Sequence, residues 1–374
     1  MQKNKEHDGN YEMSKKDLYS ILKDFNHTFD EKEVKYLFSL VEQVRVDGLA
    51  KRLKADISSN LPKIYGRRSV LSDYRINPYV MLATTNIMKL SEPERFAHFL
   101  FNSKIMMGLE TSFGKIVERA FIQSYPVESN AKWRDPPEKI AEFEEEKNIE
   151  SREERSALRS NSIWREIDKD VVVNNRRFLT SIKSGPNTIN NTQVQGMVDA
   201  ISGKYQTWLE LSEAATPGLE GIDVVIGLTY GTERSTNNKD NQILAKLLSL
   251  GFSEMDRHAH PGVLVDDATG RVRIYRRIGK SFWAWTGNPQ NETAEPQVFL
   301  EVLLALSLAF RDLLAEGATI EEGINERLRR LASAILKMQL SPDTLPNWVS
   351  DRGFDDNDLF YLVTALSAFY DEGI

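Results

Sequence analysis

Asp168, Ser181 and Lys183 stand at the two open ends of a short stretch that reads as a β-hairpin, and they supply a carboxylate, a hydroxyl and an ammonium. That set matches what phosphodiester hydrolysis would need. A carboxylate holds a hard cation such as Mg²⁺, which takes one or two carboxylates together with waters and phosphate oxygens. The cation polarises the phosphorus and acidifies a water. An ammonium beside that water orients it and stabilises the charge that develops on the phosphorane.

The hairpin follows from local patterning. Val171-Val172-Val173 is a β-branched run, Asn174-Asn175 a two-residue turn, and Arg177 to Ile182 the return strand. Side chains alternate along a strand, so Ser181 and Lys183 share a face. Antiparallel pairing brings the end of the second strand back beside Asp168. Glu118 offers a second carboxylate from a helix expected over Ser112–Ser124, on the same side as Gly114, where a backbone could pack closely. The spacing alone is unspecific, because many hairpins carry an Asp and a Lys at solvated ends.

The rest of the chain must position these groups. Helical periodicity covers Lys15 to Lys54, with Leu18, Ile21, Leu22 and Phe25 in one stripe and Val34, Leu37, Phe38 and Val41 in another. Pro62 and Pro78 punctuate the next stretch of chain. Further helices are expected over Glu92–Gly108, Ser112–Ser124 and 195–214. Between Pro136 and Arg155 the composition turns acidic and charge-dense, which reads as an exposed helix or a mobile insertion and not as a site. Asp223 to Tyr230 is a buried strand, and Val263–Val265 with Val272–Tyr275 forms a second hairpin across a turn at Asp267 to Gly270. After Gln297 the chain is helical again, with Val298–Ala315, a capping-box pattern at Thr319-Ile320-Glu321-Glu322, and a last helix from Asp358 to Phe369. There is no internal repeat.

Composition narrows the chemistry. Cysteine is absent and there are five scattered histidines, which removes disulfides, thiolate zinc sites, cysteine nucleophiles and an all-histidine metal cage. The same absence fits a reducing compartment, so a cytoplasmic location is expected. No apolar run reaches the roughly 18 residues of a membrane span, and the polar start MQKNKEHDGNYEMSKKD lacks the apolar core of a secretory signal and reads as a short floppy tail. The net charge of −7 argues only weakly against a nucleic-acid partner, because binding follows local potential. Local basic clusters exist. Lys51, Arg52, Lys54, Lys63, Arg67, Arg68 and Arg75 face Asp56 and Asp73, and Arg271, Arg273, Arg276, Arg277 and Lys280 form a run without an acid. No Gly-rich phosphate loop with Lys and Ser/Thr is present, so a nucleotide-driven motor is excluded.

The hairpin resembles the catalytic hairpin of the PD-(D/E)XK nuclease superfamily. More narrowly, the chain resembles type II restriction endonucleases that cut the partly degenerate site RGGNCCY. Six segments carry the resemblance in order: Ile76-Asn77-Pro78-Tyr79, Thr111-Ser112-Phe113-Gly114-Lys115 with Glu118, Glu166-Ile167-Asp168, Leu179 to Gly185, Val225 to Gly231, and Lys280 to Trp285.

The resemblance implies an α/β fold, a PD-(D/E)XK restriction-endonuclease-like core with a mixed sheet, flanked by N- and C-terminal helices. It divides the chain into a helical region at 1–74, a catalytic core at 75–296 with the charged insertion near 130–160, and a helical region at 297–374 that could dimerise. It makes Asp168 the main metal ligand, Lys183 the catalytic lysine and the Ile182 carbonyl a further ligand to Mg²⁺. Ser181 occupies a position where the superfamily carries an acid. A hydroxyl brings no negative charge, so another carboxylate is required; Glu118 is the candidate and Asp170 the rival. The partner would be double-stranded DNA, and a two-fold symmetric target implies a homodimer. Beside the lysine, the polar run with Ser184, Asn187, Asn190, Asn191 and Gln193 could read base edges or cap the following helix.

Other features read plainly. Asp256-Arg257-His258-Ala259-His260 is expected as a surface loop, and Phe282, Trp283 and Trp285 as core. Ser235 lacks the Gly-x-Ser-x-Gly elbow of a hydrolase nucleophile. The expected activity is site-specific hydrolysis of DNA by a metal-activated water. The alternatives are a nonspecific repair or recombination nuclease of the same superfamily, a DNA-binding relative without catalysis, and a helical interaction protein with an incidental Asp and Lys.

Overall fold

The computed structural model describes residues 30–66, 77–90, 92–120, 125–127, 130–185, 189–234, 237–315, 318–336, 346–347, 351–352, 355–356, 358–359 and 361–362. In chain order the first helices are α1 (Glu31–Ser39), α2 (Gln43–Gly66), α3 (Pro78–Met88), α4 (Pro93–Ala120), α5 (Pro137–Lys147) and α6 (Arg152–Asn161). The central part holds β1 (Lys169–Val173), β2 (Arg176–Lys183), α7 (Asn191–Ala215), β3 (Gly221–Leu228), α8 (Lys239–Leu247), β4 (Phe252–Glu254), β5 (Leu264–Asp266) and β6 (Val272–Ile278). Then come α9 (Lys280–Gly287), α10 (Val298–Ala315) and α11 (Ala318–Leu336).

The protein is α/β, with one six-stranded mixed sheet in the order β1-β2-β3-β6-β5-β4. β1 and β2 are antiparallel, β2, β3 and β6 run parallel, and β5 and β4 return antiparallel. Asn174 and Asn175 both take positive φ, the backbone of a two-residue turn that matches strand twist. β3 lies in the middle and every residue of it is buried, which explains its unbroken apolar run.

Both faces of the sheet are covered. On one, Leu179, Ile222, Val224, Ile226 and Ile274 pack with Val194, Val198, Ile201 and Trp208 of α7 and with Ile243 and Leu247 of α8. On the other, Phe178, Tyr275 and Phe282 surround Trp285, which also meets Trp133 at a ring-centroid distance of 5.1 Å. Phe282, Trp283 and Trp285 are therefore core, as expected of aromatics packed at the start of a helix.

By its internal packing the chain separates into two compact units. The described parts of Met1–Arg52 and Gly114–Ser307 make one, which contains the sheet; those of Leu53–Phe113 and Leu308–Ile374 make the other. The second unit has its own core of Met81, Phe96, Leu100 and Phe101 with Leu331, Ile335 and Tyr361.

Several elements depart from the sequence-based expectation. The first helical stretch breaks at Leu40–Glu42, and Asp30 and Glu33 form a capping box that starts α1. The helices expected over Glu92–Gly108 and Ser112–Ser124 are one continuous helix, α4, because a lone glycine at 108 weakens a helix without ending it. Pro62 lies inside α2, whereas Pro78 opens α3 behind the N-cap Asn77. Of the two readings of the segment from Pro136 to Arg155, the exposed helix holds and the mobile insertion does not: it folds into α5 and the start of α6, and Glu138 clamps Arg177 of β2 with both carboxylate oxygens. α8 and β4 have no counterpart among the elements expected from sequence. Among the described residues, no helix is long and apolar enough to cross a membrane.

Candidate active site

The β1–β2 register pairs Lys169 with Thr180, which sets Asp168 opposite Ser181 one step further on. Two hydrogen bonds fix that step. Asp168 N–H donates to the Thr180 carbonyl at 2.8 Å, and Ile182 N–H donates to Asp168 Oδ2 at 2.6 Å. The hairpin thus positions Asp168 against the Ser181-Ile182-Lys183 segment, as the sequence predicts from turn and alternation.

Burial pushes the Asp168 carboxyl above its ordinary range; Lys183 and the Ile182 N–H pull it back. Lys183 is half-buried at the end of β2, and its ammonium makes no hydrogen bond or ion pair with a described side chain. Ser181 is 1% exposed, and its Oγ has no partner among the described residues. A buried hydroxyl left unsatisfied costs about 1–3 kcal/mol, which makes this oxygen conspicuous beside a carboxylate.

Glu118 comes to this corner on α4. Gly114, one turn earlier, lies against Ser184: a Cβ built on it would sit 3.1 Å from the Ser184 Cβ. This close approach lets the helix dock where the hairpin ends. Burial raises the Glu118 pKa most, and the negative charge of Asp168 raises it further. Lys169 and Lys139 oppose that rise.

Two lysines here are not evident from sequence. Lys169 is 2% exposed and pairs with Asp135 at 2.5 Å and with Glu118 at 3.8 Å. Lys139, in the charge-dense stretch expected not to form a site, donates to the Ile167 carbonyl at 2.5 Å and acts electrostatically on both Asp168 and Glu118. The available signal is the cation-carboxylate alternation of Asp135, Lys139 and Lys169, which only the tertiary docking of α5 brings together.

Asp170, the rival second carboxylate, is fully buried and bound by Arg177 at 2.6 Å, with Arg134 at 3.5 Å. Arg177 also donates to Glu138 and Ser212 and lies over the Trp164 ring. Asp170 thus belongs to a buried ion-pair network, while Glu118 lies close enough to Asp168 to feel its charge.

This donor set fits a hard divalent cation. Two carboxylates, each raised by burial, gain from a positive charge between them, and two is the number Mg²⁺ commonly takes. Asp168 and Glu118 would hold it, with the Ser181 hydroxyl as an unsatisfied oxygen nearby. Among the described residues, no group of three or more His, Cys, Asp or Glu side chains is arranged for a metal. The N–H of Ile182 is the backbone group engaged with Asp168.

The polar run behind Lys183 is mostly engaged within the fold. Asn190 and Gln193 form a reciprocal capping box at the start of α7, and Asn191 Oδ1 accepts from Lys239 at 2.5 Å. The Ser184 carbonyl accepts from Thr229 at 2.9 Å, and Asn187 lies outside the described residues. His258 and His260 sit in an exposed loop. Arg271, Arg276 and Arg277 are paired with Glu213, Asp240 and Glu292, so that run is not a bare cationic patch. In the N-terminal cluster, Lys51, Arg52 and Lys54 are described; Arg67, Arg68 and Arg75 fall outside, as does Ser235.

Comparison with known proteins yields no matching family model and no matching curated protein.

Proposed function

We propose that the chain is a Mg²⁺-dependent type II restriction endonuclease, hydrolysing duplex DNA at specific sites on a PD-(D/E)XK-like core and acting as a homodimer. The observation that carries this reading is the juxtaposition of Asp168 with the Ser181-Ile182-Lys183 segment at the mouth of the β1–β2 hairpin, with Glu118 near enough to feel the charge of Asp168. Asp168 and Glu118 would hold the cation, and the Ile182 carbonyl would be a further ligand. When bound, the cation supplies Lewis-acid polarisation of the scissile phosphodiester.

The protein's own groups do the rest. The Ile182 N–H keeps one Asp168 oxygen oriented and leaves the other to a ligand. Lys183 places its ammonium beside the attacking water and stabilises charge on the phosphorane. Ser181 gives a hydrogen-bonding oxygen without adding a third negative charge. The homodimer follows from the symmetry of a nearly palindromic target.

One experiment tests the reading. Purified protein is incubated with a fully sequenced phage genome in Mg²⁺ or EDTA, beside Lys183→Ala. Discrete fragments that require both Mg²⁺ and Lys183 are expected, and DNA left intact across salts and metals overturns catalysis. A smear points to the nonspecific nuclease. The serine at 181 favours one second reading, a DNA-binding relative without catalysis, whose mark is EDTA-insensitive binding without cleavage.

A further inference from the structure

The carboxyl ends of the three parallel strands lie along one edge of the sheet: Lys183 ends β2, Leu228 ends β3 and Ile278 ends β6. Backbone hydrogen bonds tie them together. Thr229 N–H donates to the Lys183 carbonyl at 3.0 Å, and Gly279 N–H donates to the Leu228 carbonyl at 2.8 Å. At Gly279, with φ +54°, a Cβ would sit 2.3 Å from the Gly231 carbonyl oxygen, so the two crossing segments touch backbone to backbone. Tyr230, half exposed, lies across Gly185 on the Lys183 side of this junction.

Beyond the ends of β3 and β6 opens a cleft of about 660 Å³. Four cations line it, Arg234, Arg276, Arg277 and Lys280, against two acids, Glu233 and Glu292. Arg276 is tethered to the buried Asp240 and Arg277 to Glu292, which fixes both guanidinium groups in place. A guanidinium has five N–H donors, more than one carboxylate uses, so a tethered Arg still offers donors to an anion. α9 begins at the same cleft with Gly279 as N-cap and no capping side chain, which adds the positive end of a helix. In open α/β sheets the carboxyl ends of strands are where ligands bind.

We propose that this cleft binds phosphate groups. Resting on the nuclease reading, these belong to the sugar-phosphate backbone of the same duplex whose scissile bond lies at Lys183. Two strand spacings separate β2 from β6, about 10 Å. In B-DNA each strand rises about 3.4 Å along the helix axis per nucleotide, so a duplex whose axis runs along the sheet edge reaches the cleft about three nucleotides from the cut. Such a contact sets the register of the duplex and reads no base.

The test measures binding of a fluorescent duplex by anisotropy in Ca²⁺ over a series of salt concentrations. It compares the wild-type protein with Arg234→Ala/Lys280→Ala, a pair outside the carboxylate site. The double variant is expected to bind every duplex sequence more weakly, with the slope of log affinity against log salt smaller by about 2. A duplex with uncharged methylphosphonates about three nucleotides from the mapped cut should weaken the wild type and leave the double variant unaffected. An unchanged salt slope in a variant with wild-type circular dichroism overturns the proposal. If the wild-type protein binds no duplex even at low salt, the nuclease reading fails and the cleft is judged alone by calorimetry with pyrophosphate. Heat seen with the wild type and lost in the double variant then upholds a phosphate site, and no heat from either overturns it.

Discussion

Ile182 N–H donates to Asp168 Oδ2 at 2.6 Å across the mouth of the β1–β2 hairpin. The bond joins the residue just before β1 to the residue between Ser181 and Lys183, so the carboxylate, hydroxyl and ammonium share one register. That register originates in the two-residue turn at Asn174-Asn175, and a slip of one residue would send Ser181 and Lys183 to the opposite face. The geometry of the candidate site is therefore set by the hairpin itself.

Lys183→Ala should leave that geometry intact, since the ammonium bonds to no described side chain. We expect cleavage in single turnovers to fall by about 10²–10³, the usual loss for one transition-state donor, with duplex affinity in Ca²⁺ nearly unchanged. Asp168→Asn should remove cleavage and also weaken cation binding. Equal cleavage by Lys183→Ala and the wild-type protein would sink the assigned role.

Glu118 and Asp168 both have folded pKa values raised by burial, so in the window between the ordinary carboxylate range and those raised values the folded state binds more protons than the unfolded one. Their contribution to stability is then greatest at low pH and falls as pH rises through the window. Without divalent cation, Glu118→Gln should melt at or above the wild-type temperature at neutral pH, by about 1–3 °C. Mg²⁺ should raise the wild-type melting temperature more than that of the variant. Differential scanning fluorimetry checks both, and a variant that gains as much from Mg²⁺ as the wild type removes Glu118 from the cation site.

The local parts of this arrangement are legible in the sequence. Val171 to Ile182 carries turn residues between β-branched runs, and β3 announces itself by an apolar run that only a doubly covered strand shows. Asp170 and Asp168 share a strand parity, so sequence does not tell a ligand from a buried ion-pair partner; Arg177 decides it. The insertion of β6 beside β3 is a pairing across some 50 residues, which no local pattern encodes. Lys139 and Lys169 look like ordinary surface lysines in the sequence because their partners, the Ile167 carbonyl and Asp135, meet them only through the docking of α5.

Asp170 should behave as a structural residue. Arg177→Ala leaves the fully buried Asp170 without its main counter-charge, and removing one partner of a buried pair costs about 3–5 kcal/mol. Urea unfolding should show this loss, and a double variant with Asp170→Asn should recover part of it. If Asp170→Asn instead keeps wild-type stability and loses cation binding, Asp170 is the second carboxylate after all.

Gly227 links the core to the site. It pairs with Ile182 in the sheet, and a Cβ at this position would lie 2.3 Å from the ring of Phe282, which is fully buried. Strand propensity favours Ala over Gly, so the direction of Gly227→Ala depends on whether the ring can retreat. Trp283 and Trp285 flank Phe282 at centroid distances of 5.4 and 6.1 Å and close off that retreat. Gly227→Ala should therefore destabilise by about 1–3 kcal/mol, the usual cost of overpacking. Its strain should also reach Ile182 and lower cleavage beyond the loss of folded protein. Phe282→Leu removes the obstructing edge, so Gly227→Ala/Phe282→Leu should unfold at a higher urea midpoint than the sum of the two single variants implies. Strict additivity would mean that the strand moves instead of the ring.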